Sequence, residues 1–163
     1  MNRASVTSKG VFLPAWSSML CEYAVKVTGE IKRDNWELSF LLCDDETIRE
    51  LNNQYRGMDE ATDVLSFNLG GQAREKNKSV FYAGDIVISL DALHENSSYY
   101  KISEDEELRR LVIHGILHLD GMDHGTNSND EPMLVLQENI LSKLGNIKII
   151  PWGGEYQCSR GDI

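Results

Sequence analysis

The chain has 163 residues, of which 41% are hydrophobic and 26% charged, and this is enough for one folded domain with a hydrophobic core. Its formal net charge of −10 argues against broad electrostatic attraction to nucleic acid or to an anionic membrane, although it does not exclude a local basic groove. The start MNRASVTSKG lacks the apolar core of a signal peptide, and no apolar run reaches the ~18 residues that span a bilayer.

The first predicted elements are a helix, a strand and a second helix. Pro14 opens a helical repeat of apolar residues that ends at Gly29. The stretch WELSFLLC at 36–43 alternates strictly between apolar and polar residues, as a half-buried strand does. Asp44 is a natural N-cap for the helix that follows, and Gly57 ends it.

Two more strands and a short helix are predicted next. The strands are DVLSF at 63–67 and GDIVISL at 84–90. The segment between them contains GGQAREKNKS, which is polar and rich in glycine, and this composition predicts a surface loop. DALHENSSYY at 91–100 is expected to form a short helix.

Two longer helices complete the pattern. Ser103 and Glu106 form a capping box at the start of a helix that runs to about Asp120, where Gly121 is placed for a left-handed C-terminal residue. A last amphipathic helix ends at Gly145. Because strands and helices are mixed without regular βαβ alternation, the fold class is predicted to be α+β.

The cysteines indicate the compartment. Cys21, Cys43 and Cys158 are odd in number and widely spaced, so they suggest neither a disulfide framework nor a metal knuckle. Free thiols are typical of a reducing environment, and we predict a cytoplasmic protein.

Three of the four histidines lie in LVIHGILHLDGMDH, at 111–124. His114 and His118 are four residues apart on one helix face, and Gly121 allows the chain to reverse so that His124 returns toward them. A lone histidine on such a face is ordinarily a core residue, but burying polar rings without partners costs about 1–3 kcal/mol each. Three converging imidazoles instead predict a Zn²⁺ site at Zn–N distances of ~2.0–2.1 Å, with a fourth position left for water.

The same spacing of the first two histidines occurs in metzincin peptidases, where the residue after the first histidine is a glutamate that acts as general base. That position here is Gly115, which has no proton acceptor and lowers helix stability by ~1 kcal/mol relative to alanine. Close approach of another backbone or of a substrate is the usual reason for such a glycine. A zinc peptidase is therefore an alternative that lacks its base.

The motif HGILHLDGMDH at 114–124 resembles the signature of the YbeY family, bacterial metal-dependent endoribonucleases linked to ribosomal RNA processing and ribosome quality control. NNQYRGMDEATDVLSF at 52–67 and GDIVIS at 84–89 are similar to two further blocks of that family, and Met133 also fits. Together with the closing LG, these blocks cover residues 36–145.

The chain departs from the family pattern in places that leave the histidines untouched. Met122 stands where the family has a tyrosine, and the expected first strand is only weakly visible in ASVTSKGVFL. The resemblance implies a small mixed sheet packed with about five helices, in a single metallohydrolase domain over 1–145. Residues 146–163 would then be a C-terminal extension, which we expect to be partly mobile.

The resemblance also implies one zinc ion per chain, held by His114, His118 and His124, and a role for Arg56 at the site. A guanidinium matches phosphate oxygens with a rigid pair of donors, although a single arginine beside a helix-ending glycine is otherwise a surface residue. Arg56 and His114 are accordingly our candidate catalytic residues, with Zn²⁺ lowering the pKa of a bound water or polarising a phosphoryl oxygen and Arg56 stabilising the charge that develops on the phosphate.

The general base is not evident from the sequence. Asp85 and Asp123 are candidates, and for Asp123 we favour a role as acceptor for the N–H of a metal ligand. Asp63 and Ser66 are expected to order the strand that lines the site. Whether the nucleophile is water or the 2′-hydroxyl of the RNA is left open.

The implied activity is that of a zinc-dependent, single-strand-specific endoribonuclease acting on the 3′ end of small-subunit ribosomal RNA and in ribosome quality control. The expected partners are ribosomal RNA and the small ribosomal subunit, with no membrane and no DNA. Local cations at 32–33, 74–78 and 109–110 are candidates for an RNA groove, although charge runs are usually just solvated. A ribosome-assembly factor with a purely structural metal is the alternative, and removal of the metal would distinguish the two.

Overall fold

Four strands and five helices follow one another along residues 1–152, the part of the chain that the computed structural model describes. In chain order they are β1 (Arg3–Lys9), α1 (Ser17–Glu30), β2 (Trp36–Cys43), α2 (Asp45–Arg56), β3 (Val64–Glu75), β4 (Lys78–Ser89), α3 (Leu90–Tyr100), α4 (Glu104–Leu119) and α5 (Pro132–Lys143). The predicted α+β class with a mixed sheet is confirmed.

The strands form one sheet in the order β1-β2-β4-β3. β1 is parallel to β2 and β2 is parallel to β4, while β3 is antiparallel to β4 and lies at the edge. α1 therefore connects two neighbouring parallel strands, as in a βαβ unit. The weak pattern near the N-terminus does form β1, whose side chains are only half-buried or exposed because this strand lies at the other edge.

The predicted loop between the third and fourth strands is wrong. Both strands run on through it as a long hairpin, with Glu75 opposite Lys78 across a turn in which Lys76 and Asn77 have φ of 48° and 66°. Positive φ at both central residues is the geometry of the tight hairpin turn that matches strand twist. Side chains of this outer hairpin are exposed from Asn68 to Glu75, so no apolar alternation marks it, and the backbone ladder holds it together.

The predicted caps at Asp44, Gly57 and Ser103 are present, but the Glu106 carboxylate bonds to Arg110 instead of completing the predicted capping box. The Asp44 side chain accepts a hydrogen bond from the Thr47 amide at 3.0 Å, and Gly57 adopts φ +69° at the end of α2. Ser103 Oγ accepts from the Glu106 amide at 3.0 Å and starts α4. Each such N-cap stabilises its helix by roughly 1 kcal/mol.

The sheet separates two hydrophobic clusters. On one face α1, α3, α4 and α5 cover the main core, in which Leu20, Phe40 and Ile113 are buried. On the other face α2 packs through Ile48 on a smaller cluster that includes Val87. α4 is the most buried helix, and its partly open side carries the predicted metal ligands.

The first part of the predicted C-terminal extension packs against the domain. Ile149 and Ile150 are buried, and their amides donate to Asp105 Oδ1 at 2.7 and 2.8 Å. The remainder, residues 153–163 with Cys158, lies outside the described residues. Among residues 1–152, no helix combines the length and the apolar character that crossing a membrane requires.

Candidate metal centre

The structure brings the three predicted histidines together at the C-terminal end of α4. His114 and His118 lie one turn apart, with ring centroids separated by 4.7 Å and their Nε2 atoms by 3.1 Å. The His124 ring lies 5.1 Å from that of His114 and 5.6 Å from that of His118. One nitrogen from each ring lies within 4.8 Å of the others, which is close enough for a shared metal ion.

Each of these rings has an oxygen acceptor next to its Nδ1. An oxygen acceptor there requires Nδ1 to carry the proton, and the lone pair is then on Nε2. Three Nε2 lone pairs aimed at one point are the donor set that a three-histidine metal site needs. The acceptors are Gln137 Oε1 for His114 at 2.7 Å, the Met122 carbonyl for His118 at 3.0 Å and the Thr126 carbonyl for His124 at 3.0 Å.

Burial acts in the same direction on two of the rings. It lowers the pKa of His114, with the nearby His124 adding to the effect, and it lowers the pKa of His118, where His114 is the next cause. The neutral imidazole is the form that binds a metal, so the environment favours the ligating state.

The turn after α4 returns the third histidine to the site. Gly121 has φ +90°, its amide donates to the His118 carbonyl at 3.0 Å, and the Met122 amide donates to the Leu117 carbonyl at 3.0 Å. These two bonds define a Schellman motif, which favours glycine at this position. Met122 thus keeps its structural place although it is not the tyrosine of the family pattern.

Asp123 contacts its neighbouring ligand through the backbone. Its Oδ1 accepts from the His124 amide at 2.8 Å, whereas the ring N–H of that histidine is directed to Thr126. Asp123 therefore orients the His124 backbone and is not the acceptor of an imidazole proton. It also lines the cavity described below.

Asp85 is not at the site, so its candidacy as general base is wrong. Its neighbour Ile86 faces α4, and successive side chains on a strand point to opposite faces. Asp85 therefore lies on the other side of the sheet from the histidines, where it accepts a hydrogen bond from Ser39 Oγ. Asp63 accepts from the Val64 amide at 2.8 Å and from Asn96 Nδ2 at 3.2 Å, which fixes the start of β3.

Gly115 allows α4 to lie close to the sheet. A Cβ at this position would come within 2.8 Å of Ile86 Cγ2, well inside ordinary contact distance. The close approach is thus to a side chain of β4, whereas the sequence suggested a backbone or a substrate. It brings the helix that carries His114 and His118 down onto the core.

Arg56 reaches the same site around the free edge of β3. Its Nη2 donates to the Ser66 carbonyl at 2.8 Å, and its guanidinium carbon lies 5.5 Å from the centre of the Phe67 ring. Ser66 Oγ in turn donates to the Gly115 carbonyl at 3.1 Å, so one residue links the arginine to the helix that carries His114 and His118. Arg56, His114 and His118 line a common cavity of about 400 Å³.

Three of the other candidate cations are engaged in ion pairs. Arg33 pairs with Asp120 at 2.7 Å, Arg109 with Asp105 at 2.9 Å, and Arg110 with Glu138 at 2.9 Å. A broad basic groove is therefore not formed from these side chains. The positive charge available to a phosphate in the cavity comes from Arg56.

Sequence reasoning missed Gln137. It is buried on α5, four residues after Met133 on the same apolar stripe, and a polar residue in that position is a signal that it has a polar partner. A metal ion held by the three histidine nitrogens would polarise a phosphate ester in the open cavity, and the nearby arginine would help to bind that ester.

Several named proteins are similar to this chain over most of its length. The family model described as "Endoribonuclease YbeY" matches residues 12–145. The chain is 42% identical over 155 residues to "Endoribonuclease YbeY" of Treponema pallidum (strain Nichols), covering 93% of this chain and 97% of that protein. The Treponema denticola protein of the same name is 47% identical over 125 residues, with 76% and 81% coverage. A solution structure from Thermotoga maritima is similar with a TM-score of 0.56 and 29% identity, covering 90% and 91% of the two chains.

Proposed function

This chain belongs to the YbeY family of endoribonucleases, hydrolases that act on RNA, and we propose that it processes ribosomal RNA with one zinc ion held by His114, His118 and His124. The observation that carries the proposal is the arrangement of the three rings, each with Nδ1 at an oxygen acceptor and Nε2 free to bind. A set of three nitrogen ligands is typical of catalytic zinc.

The cavity supports a catalytic metal over a structural one. Closed structural sites use four protein ligands, whereas three histidines leave a position for water or substrate. His114 and His118 line the same cavity as Arg56 and Ser66, so a metal held by these histidines would face that cavity. When bound, zinc lowers the pKa of a coordinated water and polarises a phosphoryl oxygen.

Arg56 is proposed to hold the scissile phosphate. One of its Nη2 hydrogens is used on the Ser66 carbonyl, which fixes the plane of the guanidinium and leaves other N–H groups for phosphate oxygens. The contact with Phe67 limits movement of the group further. A donor held in place before the reaction stabilises developing charge without having to reorganise.

The substrate is proposed to be single-stranded RNA at the 3′ end of the small-subunit ribosomal RNA, with the small subunit as partner and a role in ribosome quality control. The family supports RNA as substrate, and a cavity of about 400 Å³ with one arginine suits a flexible single strand better than a rigid duplex. We infer that the protein acts in the cytoplasm, where Cys21 and Cys43 would remain free thiols.

Replacement of Arg56 tests the proposed phosphate contact. Arg56→Ala should lower the rate of cleavage of a small-subunit ribosomal RNA fragment by ~30- to 1,000-fold, which corresponds to ~2–4 kcal/mol of transition-state stabilisation. Arg56→Lys should recover part of the rate, because an ammonium keeps the charge but not the paired donors. Arg74→Ala, which removes the same charge on the outer hairpin, is the matched control and should cleave at the parent's rate.

Metal content separates the proposed roles in the same set of variants. Arg56→Ala should keep its zinc, whereas His118→Ala should lose zinc and activity together. Cleavage by Arg56→Ala at the parent's rate would make the arginine a surface residue and end its proposed role.

Removal of the metal tests whether it is catalytic. Protein stripped by a chelator should keep its circular dichroism spectrum and its cooperative unfolding, since the main core lies between the helices and the sheet, away from the ligand nitrogens. Cleavage should stop and then return on addition of zinc. Loss of the fold on stripping would instead favour the assembly factor with a structural metal.

A further inference from the structure

A second cavity adjoins the metal ligands on the side away from Arg56. It has a volume of about 940 Å³ and is lined by His114 and His124, whereas the cavity of Arg56 is lined by His114 and His118. The two cavities therefore meet at His114. A nucleotide whose phosphate lies at the metal site could therefore place its base in the second cavity.

The walls of this second cavity suit a flat ring with a polar edge. Tyr100 lines it at the end of α3, and its side chain is 62% exposed. Leu111 and Leu134 supply apolar surface, and the amides of Asn127 and Asn139 supply donors and acceptors. The volume lies within the range of about 300–1,000 Å³ that is typical of ligand pockets, and the walls combine polar with apolar side chains.

Charge in this cavity disfavours phosphate. Arg110 lines it but is bound between Glu138, at 2.9 Å, and Glu106, at 3.2 Å. Glu107 is buried there with its carboxylate 3.9 Å from Arg110, and burial raises its pKa while Arg110 opposes the shift. Even without Glu107, three carboxylates face one guanidinium, and this excess of acidic groups attracts N–H donors and repels a phosphate.

We propose that this cavity binds one nucleobase of the RNA strand, adjacent to the phosphate at the metal site, with Tyr100 stacking on the base. Bases of single-stranded RNA stack on aromatic side chains and are read through hydrogen bonds on their edges. The exocyclic amino groups and ring N–H groups of bases are the donors that Glu107 and the asparagine side chains can accept. The inference rests on the proposed function, since it deepens the description of the same site.

The test uses binding without cleavage. A fluorescein-labelled, single-stranded heptanucleotide RNA is titrated with the full-length protein in EDTA, and anisotropy is measured for the natural oligonucleotide and for a series with one abasic position each. The parent should lose affinity at one position by about 5- to 140-fold, the range expected for one base–aromatic stack. Tyr100→Ala should bind the natural oligonucleotide more weakly and should no longer distinguish that abasic position.

Two variants control for indirect effects. Tyr100→Phe keeps the ring and should behave as the parent. Tyr99→Ala removes the neighbouring aromatic ring, which is 81% exposed and does not line the cavity, and it should keep the parent's abasic sensitivity. Because Tyr100 is exposed, its replacement leaves the core intact.

The proposal is overturned if no abasic position weakens binding, or if Tyr100→Ala keeps the parent's sensitivity to it. Neither result depends on metal or on Arg56. Failure of the base site with RNA cleavage still dependent on Arg56 therefore overturns this inference alone, whereas cleavage independent of Arg56 overturns the proposed function.

Discussion

Gln137 offers the sharpest test of how the metal site is built. Its side chain is 5% exposed, and its Oε1 lies 2.7 Å from His114 Nδ1. Gln137→Leu replaces the amide by an apolar group of similar size among the apolar residues of α5. The buried Nδ1–H of His114 then loses its acceptor, while the packing of the helix is largely kept.

Two magnitudes follow from that geometry. A buried donor without a partner costs about 1–3 kcal/mol, so the melting temperature of the metal-free protein should fall by about 2–4 °C per kcal/mol for a chain of this size. The His114 ring also loses the contact that fixes its tautomer and its orientation. Loss of such a contact typically lowers metal affinity by about 10- to 100-fold.

Competition with a zinc chelator of known affinity measures the second effect, and thermal unfolding of the metal-free protein measures the first. Gln137→Glu is the matched variant, because a carboxylate oxygen can still accept the proton of His114, and it should keep zinc within a few-fold of the parent. If Gln137→Leu binds zinc as tightly as the parent does, the orientation of His114 is set by other contacts and the argument fails.

Three further substitutions test the scaffold of the site. Gly115→Ala should destabilise the protein by about 1–2 kcal/mol in urea unfolding, because overpacking against Ile86 exceeds the ~1 kcal/mol gain in helix propensity. A variant as stable as the parent would contradict the contact. Gly115→Glu should not cleave casein, since it adds a carboxylate without the substrate groove of a peptidase, and efficient cleavage would restore the peptidase alternative. Asp105→Ala should lower the free energy of unfolding by about 3–5 kcal/mol, because it leaves Arg109 and the amides of Ile149 and Ile150 without their buried acceptor. An unchanged melting temperature would refute that role.

The parts of the fold that the sequence predicts well are those with a local physical cause. The four-residue spacing of His114 and His118 fixes their common helix face, and Gly121 allows the reversal that returns His124. Asp44 and Ser103 mark helix starts because a short polar side chain satisfies an amide within three residues. None of these features depends on knowing how distant elements pack.

The errors concern features that distant packing decides. Alternation on β4 places Asp85 and Ile86 on opposite faces, but the face that α4 covers follows only from the order of strands in the sheet. Gln137 meets His114 because α5 packs against α4, a contact between residues 23 positions apart. The outer hairpin is held by backbone pairing and its side chains are exposed. It therefore has no alternation of apolar and polar residues from which a strand could be predicted.

The net charge of −10 bears on how RNA reaches this site. Because the net charge is negative and Arg33, Arg109 and Arg110 are held by carboxylates, long-range steering of RNA to the protein is weak. Capture must then depend on short-range contacts, which are the metal ligands, Arg56 and the proposed base cavity. We infer that the protein depends on presentation of a single strand by a larger assembly, as the proposed partnership with the small ribosomal subunit requires.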